Sequence, residues 1–158
     1  MSTHKFIERV CWLCVALAMV VTVVFMNGEA IGIKAASKVM GYETRLFDTA
    51  EVHTIEHLAA TYLRNQPEWK DRVIYFGPMG CRTGFYLILA GELTSREVLP
   101  LVRDCFCFIG GYSGEVPGAS AKDCGNYLDM NLPMANYWGR RYSALLENID
   151  DTRLIYPE

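Results

Sequence analysis

The stretch Asp48-Thr49-Ala50-Glu51-Val52-His53-Thr54-Ile55-Glu56-His57-Leu58-Ala59-Ala60-Thr61-Tyr62-Leu63-Arg64 decides both the architecture and the chemistry to look for. An acceptor side chain at Asp48 with Glu51 three positions on is a capping box, the signature of a helix start. Val52, Ile55, Ala59, Tyr62 and Leu63 then recur at helical spacing, which predicts an amphipathic helix over 49–64, ended by Asn65-Gln66-Pro67. His53 and His57 stand four residues apart. On a helix that spacing puts both imidazoles on one face, where they can share a metal ion. Glu56, three residues after His53, brings a carboxylate to the same pocket. The pattern is H-x-x-E-H; the plainer reading is a solvated helical face whose Glu pairs with a nearby Arg.

Around this helix the chain reads as a mixture. Arg72-Val73-Ile74-Tyr75-Phe76 and Phe85-Tyr86-Leu87-Ile88-Leu89 are β-rich, and the turn Gly77-Pro78-Met79-Gly80 between them predicts antiparallel neighbours. Thr94-Ser95-Arg96-Glu97 is a second capping box and opens a helix to about Ile109, with Pro100 expected to kink its first turns. Cys105-Phe106-Cys107 falls in its apolar pattern and reads as core. A last helix is expected over 132–148, with Leu145 and Leu146 facing inward. Strands and helices that segregate in this way predict an α+β fold, an antiparallel sheet packed against helices, with the metal site on a helix.

The N-terminal part is unlike the rest. Residues 10–26, VCWLCVALAMVVTVVFM, carry no charge and follow Lys5 and Arg9. Seventeen uncharged residues, apolar but for Thr22, are at the short limit of a membrane span and long for a signal-peptide core. A Val-rich buried strand pair is the other reading. Residues 1–44 are therefore set apart as an atypical apolar segment, a signal or anchor or a rearranged stretch, from a metal-binding domain over 45–158. Without strands from this segment the sheet would expose an edge.

The 158 residues suffice for one domain with a real core, and a net charge of −3 gives no electrostatic case for nucleic acid. The six cysteines lack the spacing of a small disulfide framework, which favours a reduced, cytoplasmic setting; membrane anchoring through 10–26 is the alternative.

A metal that acts catalytically needs a third protein ligand and an open position. Candidates are Cys124 in Asp123-Cys124-Gly125, Cys81, and Glu115. A His₂Cys set suits Zn²⁺ or Fe²⁺. Cys81 lies in Gly80-Cys81-Arg82-Thr83-Gly84, where flanking glycines allow close backbone approach and Arg82 or a metal would favour the thiolate. H-x-x-E-H by itself also fits a metallopeptidase of the inverted-motif kind, with Glu56 activating a metal-bound water and a distant Glu as third ligand. That reading leaves Cys81 and Cys124 without roles.

His53-Thr54-Ile55-Glu56-His57-Leu58, then Gly77-Pro78-Met79-Gly80-Cys81-Arg82-Thr83-Gly84-Phe85-Tyr86, then Asp123-Cys124-Gly125, resemble the LuxS family of S-ribosylhomocysteine lyases, over about residues 47–146. The resemblance implies an α+β homodimer with its active site at the subunit interface. It also implies cleavage of S-ribosylhomocysteine to homocysteine and 4,5-dihydroxy-2,3-pentanedione, the autoinducer-2 precursor of quorum sensing. By the same resemblance His53, His57 and Cys124 match the metal ligands, for one Fe²⁺ (or Zn²⁺) per subunit, and Glu56 and Cys81 match the catalytic acid/base pair. The family's first forty or so residues supply strands, a Ser, a His and an Arg; here that region is the apolar run and a weak linker, and none of the three is carried over. An alternative is a metal-binding homologue with impaired activity.

Overall fold

Strand β3 (Gly84–Ala90) is the centre of the sheet. Its residues alternate: Phe85, Leu87 and Leu89 are buried while Tyr86 is exposed and Ile88 half-buried, so one face of the strand makes core. In the computed structural model, which describes residues 19–25, 47–80, 82, 84–151 and 154, two strands flank β3. On one side lies β1 (Met19–Phe25), antiparallel, in register from Met19 opposite Ala90 to Phe25 opposite Gly84. On the other lies β2 (Val73–Pro78), also antiparallel, from Val73 opposite Leu89 to Pro78 opposite Phe85, with an irregularity between Val73 and Tyr75. The order is β1-β3-β2.

Two expectations change here. Seven residues of the apolar run form a strand, so the reading as a membrane span does not hold for them, and they pair the edge of β3 that would otherwise stand open. The remainder of 10–26 lies outside the described residues. Among the described residues no helix is long and apolar enough to cross a membrane. Gly77 and Pro78, expected to be turn, extend β2 by pairing with Tyr86 and Phe85. Among the described residues β2 pairs with β3 alone, and an edge position tolerates Pro78.

Among the described residues three helices join the sheet in an α+β fold: α1 (Thr49–Arg64), α2 (Ser95–Gly111) and α3 (Leu132–Glu147). The first packs against β2 and against both other helices. Both capping boxes form. The Asp48 N–H donates to Glu51 Oε2 at 3.3 Å, and the Thr94 N–H to Glu97 Oε2 at 2.7 Å. Glu51 is fully buried, and its carboxylate also accepts from Trp138 Nε1 at 3.0 Å, so the start of α1 is bonded to the middle of α3. Helix α2 continues through Pro100 to Gly111 without a break. In the expected Cys105-Phe106-Cys107 core, Cys105 and Phe106 are buried but Cys107 is exposed, because two residues of helix turn the side chain to the far face. Leu146 is buried and Leu145 packs against the core from a half-buried position.

Helices α2 and α3 approach through two glycines. A Cβ on Gly139 would lie 2.5 Å from the Gly110 nitrogen, and one on Gly110 would lie 2.8 Å from the Arg140 nitrogen. The obstructing atoms are backbone and cannot rotate away. Gly139→Ala is therefore expected to destabilise the fold by about 2–3 kcal/mol, a fall in Tm of about 4–12 °C for a chain of this size. Thermal unfolding followed by circular dichroism measures it; an unchanged Tm would show that the helices can separate freely.

Candidate metal centre and its cleft

His53 and His57 project from the same face of α1, and their rings meet edge to face with centroids 4.7 Å apart. Each is held from behind by a backbone carbonyl. His53 Nδ1 lies 3.0 Å from the Asp129 oxygen, and His57 Nδ1 lies 2.8 Å from the Pro117 oxygen. A carbonyl only accepts, so Nδ1 carries the proton in both contacts and both Nε2 atoms present lone pairs. Those two Nε2 atoms face each other at 3.1 Å, and Cys124 Sγ lies 3.3 Å from His53 Nε2. Two lone pairs cannot bond one another. Around a tetrahedral Zn²⁺ with ordinary bond lengths, such donor atoms stand about 3.3–3.6 Å apart, close to what is seen. The donor set therefore fits a single divalent cation held by His53, His57 and Cys124.

Sequence-distant backbone builds this geometry. Thr54, buried between the two histidines in sequence, donates to the Ala50 oxygen at 2.6 Å and accepts from the Asn131 N–H at 2.8 Å. That bond pins the segment just before α3 to α1 and with it the Asp129 carbonyl behind His53. Asn131 also caps α3, its side chain accepting from the Met134 N–H at 3.2 Å. Cys124 is seated by a turn in which its own N–H donates to the Ser120 oxygen at 2.9 Å, while the Ser120 hydroxyl donates to Asp123 Oδ2 at 2.7 Å. Gly118, next to the Pro117 carbonyl, has φ +72°, and a Cβ there would lie 3.2 Å from His57 Nδ1. Only glycine takes that conformation without strain and leaves the ring its place.

Of the expected ligands, His53, His57 and Cys124 come together, and Glu115 does not join them. Glu56 lines the same open cleft, of about 710 Å³, with Thr61, Arg64 and Tyr75 farther along its wall. Cys81 lies outside the described residues. Its neighbour Arg82 has φ 58°, in the left-handed region, and the Arg82 carbonyl accepts from the Phe47 N–H at 3.4 Å, which ties the β2–β3 turn to the entrance of α1. Of the other free thiols described, burial pushes that of Cys105 far up, which keeps it protonated. The supporting carbonyls of Asp129 and Pro117 have no signature in sequence; Pro117-Gly118 as a turn and Asn131 before Leu132-Pro133 as a cap were the available hints.

The family model for S-ribosylhomocysteinase (LuxS) matches residues 38–152, nearly the whole of the region just described. The chain belongs to the S-ribosylhomocysteinase (LuxS) family. Relatives named S-ribosylhomocysteine lyase include that of Clostridium acetobutylicum, 64% identical over 116 residues, 73% of each chain. That of Finegoldia magna is 58% identical over 113 residues, 72% of this chain and 71% of its own. That of Clostridium beijerinckii is 56% identical over 111 residues, 70% of each. The LuxS match reaches beyond the 47–146 expected from motifs at both ends, and it leaves the apolar run outside.

Because Gly118 both adopts a left-handed φ and lies against His57, Gly118→Ala is expected to weaken divalent-metal affinity about 10–100-fold while leaving helix content unchanged. Chelator competition with Zn²⁺ or Co²⁺ measures this, and Cys124→Ala should lose the metal in the same assay. Equal affinities in all three proteins would remove Cys124 from the ligand set.

Proposed function

We propose that this chain is a metal-dependent carbon–sulfur lyase that cleaves S-ribosylhomocysteine into homocysteine and 4,5-dihydroxy-2,3-pentanedione, the autoinducer-2 precursor, through a domain spanning 45–158. The observation that carries the reading is the convergence of two Nε2 lone pairs and a cysteine sulfur beside Glu56 in an open cleft, in a chain of this family. Metal ligation by His53, His57 and Cys124, with Fe²⁺ or Zn²⁺ as the ion, follows from the mixed nitrogen and thiolate donors. A bound divalent cation supplies Lewis acidity at the sugar carbonyl, where negative charge grows as the neighbouring C–H bond breaks.

The proton transfers fall to Glu56 and Cys81. In the open-chain sugar, removal of a proton beside the carbonyl and its return to the adjacent carbon moves the carbonyl from C1 to C2 and then to C3. Loss of the C4 proton then makes the C4–C5 double bond as the C5–S bond breaks, and the electron pair leaves on the homocysteine sulfur. Glu56 sits on the cleft wall beside both histidines, within reach of a ligand there. Cys81 precedes in sequence Arg82, whose carbonyl accepts from the Phe47 N–H at the entrance of α1. A homodimer with the site at the subunit interface accords with Leu128, 81% exposed on the loop between Cys124 and Asp129, as a side chain for a second copy to cover.

Metal-loaded protein given S-ribosylhomocysteine is expected to release free thiol, followed with a thiol-reactive dye, and Glu56→Gln and Cys81→Ala are each expected to lower kcat by at least about 10²-fold with metal content retained. No thiol release from the fully loaded, unaltered chain would sink the lyase reading.

A further inference from the structure

Behind His57 the chain runs through a stretch with little of its own to fix it. Gly110-Gly111-Tyr112-Ser113-Gly114-Glu115-Val116-Pro117-Gly118 is rich in glycine, whose backbone gives up the most freedom on folding. The Pro117 carbonyl that His57 Nδ1 faces at 2.8 Å belongs to it. Tyr112 anchors this stretch on three sides. Its main-chain carbonyl accepts from Asn136 Nδ2 of α3 at 3.0 Å. Its ring meets that of Phe108 with centroids 5.3 Å apart, and the Phe108 ring lies 5.1 Å from that of Tyr62 on α1. Its hydroxyl donates to the Glu115 oxygen at 2.7 Å. A Cβ on Gly114 would lie 3.1 Å from that hydroxyl oxygen, so glycine there leaves the phenol its path to Glu115.

Resting on metal ligation by His53, His57 and Cys124, we infer that Tyr112 is a positioning residue for the metal centre: its hydroxyl, through the Glu115 carbonyl, sets the Pro117 carbonyl that orients the His57 ring. Only Val116 stands between Glu115 and Pro117 in sequence. Val116 packs against the core, and the Pro117 ring fixes its own φ, so little slack separates the two carbonyls. On the far side the Ala119 N–H donates to the Val116 oxygen at 3.1 Å and closes the next turn. A carbonyl behind a ligating imidazole sets its tautomer and the direction of its other nitrogen, and such outer contacts govern metal affinity. His53 is oriented separately, by the Asp129 carbonyl on the segment that Thr54 pins to α1. Tyr112 does not line the cleft, so it acts through His57 and not on a substrate.

The test compares Tyr112→Phe, which keeps the ring and loses the hydroxyl, with Tyr62→Phe, a change in the same aromatic row at a hydroxyl that makes no hydrogen bond among the described residues. On the zinc-loaded chain it follows release of Zn²⁺ to a chelator and, by NMR, solvent exchange of the imidazole Nδ1–H protons, which His57 and His53 report separately. Tyr112→Phe should release zinc about 3–10-fold faster, a smaller effect than removing a group that touches the ligand itself. It should also speed exchange at His57 Nδ1 and leave His53 Nδ1 unchanged. Tyr62→Phe should match the unaltered chain in both measurements. Zinc release and His57 exchange both unmoved in Tyr112→Phe, in a chain whose His57 ring signals shift on zinc loading, would overturn this inference alone. Equal acceleration at both histidines would make Tyr112 a general stabiliser and overturn it as well. A His57 ring that zinc leaves untouched would overturn the ligand set, and this inference with it.

Discussion

Two imidazole Nε2 atoms that face each other at 3.1 Å, each with its ring's Nδ1 against a backbone carbonyl, are the constraint from which the rest of the arrangement follows. A cation between them turns the repulsion of two neutral-ring lone pairs into attraction. The chain fixes both rings by giving each Nδ1 a backbone carbonyl, from Asp129 and from Pro117. Those carbonyls come from segments distant in sequence, so the folding of two loops is written into the metal geometry. Thr54, the Asn131 cap and the conformation of Gly118 are means to that end. Even the buried Glu51–Trp138 bond serves it, since it docks α1 on α3 and so brings the 124–131 loop over the histidine face.

Much of this was legible from local pattern. The 3.6-residue period of helix places His53, Glu56 and His57 without any tertiary information, and the capping box at Asp48 and Glu51 set the start of α1 where it is found. The strand pair and the last helix were legible for the same reason. What escaped was what depends on neighbours. Residues 19–25 carry no alternation of polar and apolar side chains, so their apolarity could not separate a span from a strand; the open edge of β3 decides it. Gly77 and Pro78 carry turn residues yet pair, because an edge strand makes no demand on the proline nitrogen. Cys107 reads as core by composition and is turned outward by helix geometry.

At the site the division is similar. Candidate side-chain ligands advertise themselves by type and spacing; residue type made Cys124 one candidate for a third ligand beside Cys81 and Glu115, and resemblance singled it out, since its closeness to His53 arises from a fold that brings together residues 71 positions apart. Backbone carbonyls that orient the rings are present at every position and so mark none.

The separation of the ligands along the chain also bears on how the protein holds together. An ion bound to α1 and to Cys124 acts as a cross-link, closing a long loop that includes β2, β3 and α2. Closing so long a loop removes much of the freedom of the unfolded chain, in the way a disulfide would, and here no disulfide joins the three cysteines described. A bound ion then adds to the stability of the folded chain, so that metal loading and resistance to unfolding rise together.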